Sequence, residues 1–227
     1  MSDISLNYTE KGSGFPLVLL HGNGGTSDYF SNQIPFFSKS YRVIAVDTRG
    51  HGKSPRGTVP FTLEQFAEDL KELLDDLDIE KCFLLGFSDG ANIALLFALK
   101  YPAYLEKLVL NGVDLSPSGV KKSVQIPIII GCKIVSFISL FDKKAVAKKE
   151  TLGLMVTQPN IEPSELEKLK TPVLVIVGTN DMIKDEHSEL IASSIADSKL
   201  VRINGDHFIA AKCCDEFNRA VSSFLGG

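Results

Sequence analysis

Short, continuous apolar runs recur along the 227-residue chain at positions 16–20, 42–46, 82–85, 107–110, 173–177 and 199–203, separated by longer stretches of helical spacing. Runs that do not alternate with polar residues are what strands buried on both faces of a parallel sheet require. Residues 4–8 are expected to add a leading antiparallel strand. Between the runs, residues 62–77 open with Thr62 and Gln65 at capping-box spacing and then place Phe66, Leu70, Leu73, Leu74 and Leu77 on one helical face. Residues 89–100 and 215–225 show the same apolar spacing. The alternation predicts an α/β fold, a mostly parallel sheet with helices on both faces.

Around residues 114–165 the strand–helix rhythm lapses, and it resumes at Thr171-Pro172. About fifty residues are too few for an easy independent core, so this stretch is read as a small helical cap inserted into a single domain spanning 1–227. Its most apolar part, 126–141, is broken by Pro127, Gly131 and Lys133 and is too short for a confident membrane span. It is expected to form the core of the cap and to roof a small apolar acyl pocket, with no stable membrane insertion. Seven lysines against four acids between Leu115 and Glu165 give the cap a basic exterior.

Composition changes this picture little. Apolar residues at 44% and charged residues at 23% are the balance of an ordinary globular protein. A formal net charge of −4 argues against a nucleic-acid partner, which needs a dense basic surface. Residues 1–14 carry acids and no apolar core, unlike a signal peptide, so a cytoplasmic location is expected. Cysteines 82, 132, 213 and 214 lack the paired spacing of a zinc site and read as reduced thiols, with Cys82 as core filler. No metal or other cofactor is implied.

The chemistry concentrates at the ends of the predicted strands. Gly86-Phe87-Ser88-Asp89-Gly90 has the G-x-S-x-G pattern, with a strand running in and a helix running out, so Ser88 sits on a sharp turn with its hydroxyl projecting from the sheet edge. Asn23, Asp181 and His207 each follow the carboxyl end of another strand, where open parallel sheets gather their ligands. Of the four histidines, only His207 follows a late strand in a glycine-bearing loop; His21 and His51 read as structural, His187 as a helix residue. Asp185 and Asp206 compete with Asp181 for the carboxylate role, but Asp206 adjoins His207 and Asp185 begins a helix, so Asp181 is preferred.

These motifs resemble the α/β-hydrolase superfamily. His21-Gly22-Asn23-Gly24-Gly25 looks like its oxyanion loop, 47–54 like its D-x-R-G-x-G-x-S turn, and Gly178-Thr179-Asn180-Asp181 and Gly205-Asp206-His207-Phe208 like its acid and histidine loops. The Ser-Asp-Gly elbow and Asp215-Glu216-Phe217-Asn218 are similar to the biphenyl-hydrolase-like group, which includes amino-acid ester hydrolases, although the insertion here is shorter. The resemblance implies a cofactor-free serine hydrolase: Ser88 the nucleophile, His207 the general base, Asp181 its orienting acid, and the backbone N–H groups of Asn23 and Asp89 the oxyanion hole. A small carboxylic ester is the expected substrate. Amidase or peptidase, lactonase, carbon–carbon hydrolase and acyltransferase chemistry use the same residues, and a slow-turnover ligand receptor shares the fold. The Asp89 carboxylate is read as a helix-start acid that would favour an α-ammonium group if it faced the substrate.

Overall fold

A computed structural model describes residues 3–226. Seven strands, β1 (Tyr8–Lys11), β2 (Pro16–Leu20), β3 (Arg42–Val46), β4 (Cys82–Phe87), β5 (Leu105–Asn111), β6 (Val173–Gly178) and β7 (Ser198–Ile203), form one sheet in the order β1-β3-β2-β4-β5-β6-β7. Only β1 is antiparallel to its neighbour. It begins later than residues 4–8: the apolar Leu6 is buried in the core, whereas the paired strand is the exposed edge that follows, with Tyr8 opposite Val46 and Lys11 opposite Val43. An edge strand with one dry face needs no apolar run, so hydrophobicity pointed a few residues upstream of the ladder.

The helices are α1 (Gln33–Phe37), α2 (Leu63–Asp76), α3 (Asp89–Lys100), α4 (Lys122–Ile138), α5 (Ala145–Thr157), α6 (Pro163–Leu166), α7 (Asp185–Ser194), α8 (Ile209–Lys212) and α9 (Cys214–Leu225). Strand pleating divides the core in two. Val18, Leu20, Ile44, Leu84, Leu108 and Val175 pack towards α2, α3 and α7, while Leu17, Leu19, Val43, Leu85, Val109 and Ile176 pack towards α1 and α9. Thr62 caps α2 by accepting from the Gln65 N–H at 3.1 Å, but the Gln65 side chain donates to Asp69 at 3.0 Å instead of reaching back, so only half of the capping box forms.

Helices α4, α5 and α6 all lie between β5 and β6, where the strand–helix rhythm lapses. The roots of this cap are stitched to the loop after β6. Val120 forms an antiparallel bridge with Ile183, the Lys121 N–H donates to Met182 O at 2.8 Å, and the Lys184 N–H donates to Gly119 O at 2.9 Å. Among the described residues, the apolar run turns its large side chains outward instead of over the site beside Ser88. Ile126, Ile130, Ile134, Phe137, Leu140 and Phe141 are exposed, and of α4 only Gln125 is buried. An all-round apolar helix covered mainly by one neighbour, α5, must leave a face uncovered, and composition could not say which. Among the described residues, no helix is long and apolar enough to cross a membrane.

Candidate active site

Ser88 occupies the step from β4 to α3 at φ 54°, ψ −123°. For a side chain with a Cβ this region costs about 1–3 kcal/mol and persists only where the surroundings over-determine it. They do so here. The Ser88 N–H donates to Asn111 O at 2.8 Å, and its carbonyl accepts from Ala91 and Asn92 at 2.7 and 3.0 Å. The turn also needs its glycines: a Cβ at Gly86 would lie 2.2 Å from Gly90 O, and one at Gly90 would lie 2.2 Å from Leu20 O.

At the ends of β6 and β7, His207 donates from Nδ1 to Asp181 Oδ1 at 2.6 Å, and both residues are buried. The Ile183 and Gly178 N–H groups also donate to this carboxylate, at 3.0 and 3.2 Å. Burial by itself would raise the Asp181 pKa, but the bond from His207 and the backbone donors outweigh it and hold the carboxyl below its usual range. An anionic Asp181 fixes the imidazole proton on Nδ1 and leaves Nε2 as the acceptor. That Nε2 is buried and has no hydrogen-bond partner among the described residues. The ring stands against the elbow: its centroid is 4.9 Å from that of Phe87, and a Cβ on Gly112, next to the Asn111 carbonyl that receives the Ser88 N–H, would come within 2.5 Å of Cε1.

The two competing acids turn outward. Asp206 pairs with Lys212 and accepts from the Phe208 N–H, and Asp185 pairs with Arg202 at 2.8 Å. The other histidines are spent on backbone. His21 donates from Nδ1 to Gly22 O at 2.8 Å and accepts at Nε2 from the Thr48 N–H at 3.0 Å. Burial lowers its pKa to about 4 and keeps it neutral. His51 accepts from the Gly24 N–H at 3.2 Å, bracing the same loop, and His187 accepts from the Leu115 N–H at 2.9 Å.

Asn23 sits in the braced loop, whose Gly22 would place a Cβ 3.0 Å from Ser88 Cβ. Its backbone N–H and that of Asp89, the first residue of α3, make no hydrogen bond within the described residues. The Asn23 side chain bridges two elements, donating to Asp89 Oδ2 at 2.7 Å and to Thr151 O of α5 at 2.8 Å.

Sequence reasoning missed Asp114. It follows β5 as the other candidates follow their strands, so the same strand-end rule would have found it. Asn92, one helical turn beyond Ser88, donates to Asp114 Oδ1 at 2.9 Å and accepts from its N–H at 3.0 Å. Burial raises Asp89 to about 6 despite its bond from Asn23; burial, with the nearby Asp89 charge adding to it, raises Asp114 to about 7. Both carboxyls join Ser88, Val120, Gln125, Met155, Gln158, Met182 and Ile183 around one cavity. Its volume is about 20 Å³, enough for a water molecule and too little for an acyl group. The closed cap is held by Asn23 on Thr151, by a two-point ion pair from Arg56 to Glu150 at 2.6 and 2.8 Å, and by the Leu63 N–H on Gln158 Oε1 at 2.9 Å.

A strand–turn–helix serine, a late histidine on a buried acid, and a cap between β5 and β6 define a recognisable class of hydrolase. A family model described as alpha/beta hydrolase fold matches residues 16–127. The chain is 30% identical to the 2-hydroxy-6-oxo-6-phenylhexa-2,4-dienoate hydrolase of Comamonas testosteroni, over 99% of this chain and 92% of that protein. The enol-lactonase from Burkholderia xenovorans LB400 is similar in structure, with a TM-score of 0.83 at 21% identity over 99% of this chain and 97% of that one. A thermophilic esterase from Thermogutta terrifontis gives a TM-score of 0.80 at 25% identity, over 98% and 93%. The chain belongs to the α/β-hydrolase family and is a hydrolase of that class, and these matches support the similarity to its biphenyl-hydrolase-like group.

Proposed function

We propose that the protein is a serine hydrolase that cleaves small carboxylic esters through an acyl-enzyme. The observation that carries this reading is the buried, unpartnered Nε2 of His207, held in the acceptor tautomer by Asp181 beside the Ser88 elbow. Nε2 takes the Ser88 proton as Oγ attacks the acyl carbonyl, and the free N–H groups of Asn23 and Asp89 receive the oxyanion. The tetrahedral intermediate collapses, His207 returns the proton to the leaving alcohol, and a water activated by the same nitrogen releases the acid. With room for one water, the closed cavity must open before substrate enters, so the cap contacts at Asn23, Arg56 and Gln158 are the gate.

The lining favours esters over the carbon–carbon bond cleavage of the Comamonas relative. That relative's substrate is a dienoate, an anion, whereas this cavity presents two carboxyls and no lysine or arginine. A carboxylate placed beside Asp89 and Asp114 would be repelled, while an ester bearing an ammonium group would be attracted. The test is a panel of neutral esters, aminoacyl esters, lactones, thioesters and dienoates, with mass spectrometry of the quenched enzyme. Turnover of esters with an acyl adduct on Ser88 is expected. Turnover of dienoates alone, or stoichiometric binding of an ester without turnover, would overturn the reading in favour of carbon–carbon hydrolysis or of a receptor.

A further inference from the structure

Along α4 and the turn after it, Ile126, Ile130, Ile134, Phe137 and Phe141 follow one another at helical spacing and are 52%, 53%, 55%, 64% and 80% exposed. Leu140 and Val146, at 72% and 40%, extend the ridge towards α5. A row of large apolar side chains on one helix face is far from the scattered exposure normal for a protein surface. The ridge lies apart from the cavity, to which the cap contributes Val120, Gln125, Met155 and Gln158. Residues 121–149 hold seven lysines and one acid in a chain of net charge −4, so the acidic excess lies elsewhere in the molecule. Lys133, Lys143, Lys144, Lys148 and Lys149 are exposed, and no ion pair engages them among the described residues.

We propose that this ridge is a docking face for an anionic lipid bilayer, with α4 lying in the plane of the interface and the lysines of the α4–α5 turn and the start of α5 on the headgroups. An apolar helix face beside a dense, unpaired lysine cluster matches a surface that is apolar beneath and negative above. A second copy of the chain fits less well, since a two-fold pairing of this face sets its lysines against themselves. At 17 residues α4 lies on such a surface and does not span it. The docked cap would bring the gate of the cavity to the membrane, a property independent of which bond the site cleaves.

The test is co-sedimentation with phosphatidylcholine vesicles and with equimolar phosphatidylcholine–phosphatidylglycerol vesicles, with thermal melts to verify folding. The wild-type protein should partition at least about tenfold more strongly onto the anionic vesicles, and should lose most of that binding in high salt. I130N/I134N/F141N should lose binding to both, and K143Q/K144Q/K148Q/K149Q should lose the anionic preference, each with an unchanged Tm. Equal partitioning of wild type and I130N/I134N/F141N would overturn the proposal. So would absence of vesicle binding together with a concentration-dependent dimer in sedimentation velocity that I130N/I134N/F141N abolishes.

Discussion

Asn23 donates through its side-chain Nδ2 to Asp89 Oδ2 at 2.7 Å, so the two residues whose backbone N–H groups are proposed to receive the oxyanion are tied to each other. The same nitrogen donates to Thr151 O, which links this pair to the cap. One amide side chain therefore ties the start of α3 and the loop after β2 to the cap helix α5.

Asn23→Ala removes both bonds while leaving the backbone N–H in place. The variant should lose about 1–3 kcal/mol of stability, because the buried Asp89 keeps its desolvation and loses its donor. Amide hydrogen exchange of α5 should accelerate more than that of α2. Unchanged exchange in α5 would show that this bond does not hold the cap.

Ser88 should be the residue labelled by a fluorophosphonate, and Ser88→Ala should be unreactive. Its backbone gives a second readout. Glycine relieves the strain at φ 54°, ψ −123°, whereas alanine retains it, so Ser88→Gly should melt higher than Ser88→Ala by the equivalent of about 1 kcal/mol. Equal melting temperatures would remove the claim of strain.

Asp181→Asn should remain folded and lose about three to four orders of magnitude in kcat, since an amide no longer fixes the Nδ1–H tautomer of His207. Asp206→Asn and Asp185→Asn, whose side chains pair with Lys212 and Arg202 on the surface, should stay close to wild type. A collapse confined to Asp206→Asn would transfer the role.

Much of this arrangement was legible in the chain because the inner strands, buried on both faces, carry a continuous apolar signature, and the strand-end loops then fall where the glycines are; β7, read the same way, is instead a half-exposed edge. What escaped were features decided by partners. The edge strand β1 has one exposed face, so it left no apolar run. The direction in which α4 turns its isoleucines depends on α5, which periodicity in α4 cannot report. Asp114 was hidden because its partner, Asn92, is 22 residues away and reads as an ordinary helix residue.

The folded-state pKa values of Asp89 and Asp114, about 6 and about 7, lie above the ordinary 3.8. Stability tied to their neutral forms is fully present below about pH 4 and is lost as pH rises through 6 and 7. Asp89→Asn and Asp114→Asn should therefore match wild type near pH 4 and exceed it near pH 8, by on the order of 2 kcal/mol each. Thermal melts across that range measure it. A variant stabilised equally at both ends would show that ionisation is not the cause.

The same titration should appear in catalysis. If these carboxylates hold a substrate ammonium, kcat/KM for an aminoacyl ester over its neutral isostere should grow as pH rises through 6 to 7, when the acids ionise. Asp89→Asn should flatten that growth and leave the neutral ester as good or better. A pH-independent ratio in the wild-type protein would return both acids to a structural role.

The bridge between Val120 and Ile183 and the paired bonds around it fasten the base of the cap to the loop that carries Asp181. Ile183, the bridged residue, also donates its N–H to Asp181 Oδ1, so the anchor of the roof and the acid's own hydrogen-bond shell share one residue. The cap's root and the carboxylate that receives the His207 Nδ1–H bond are thus parts of one hydrogen-bonded loop.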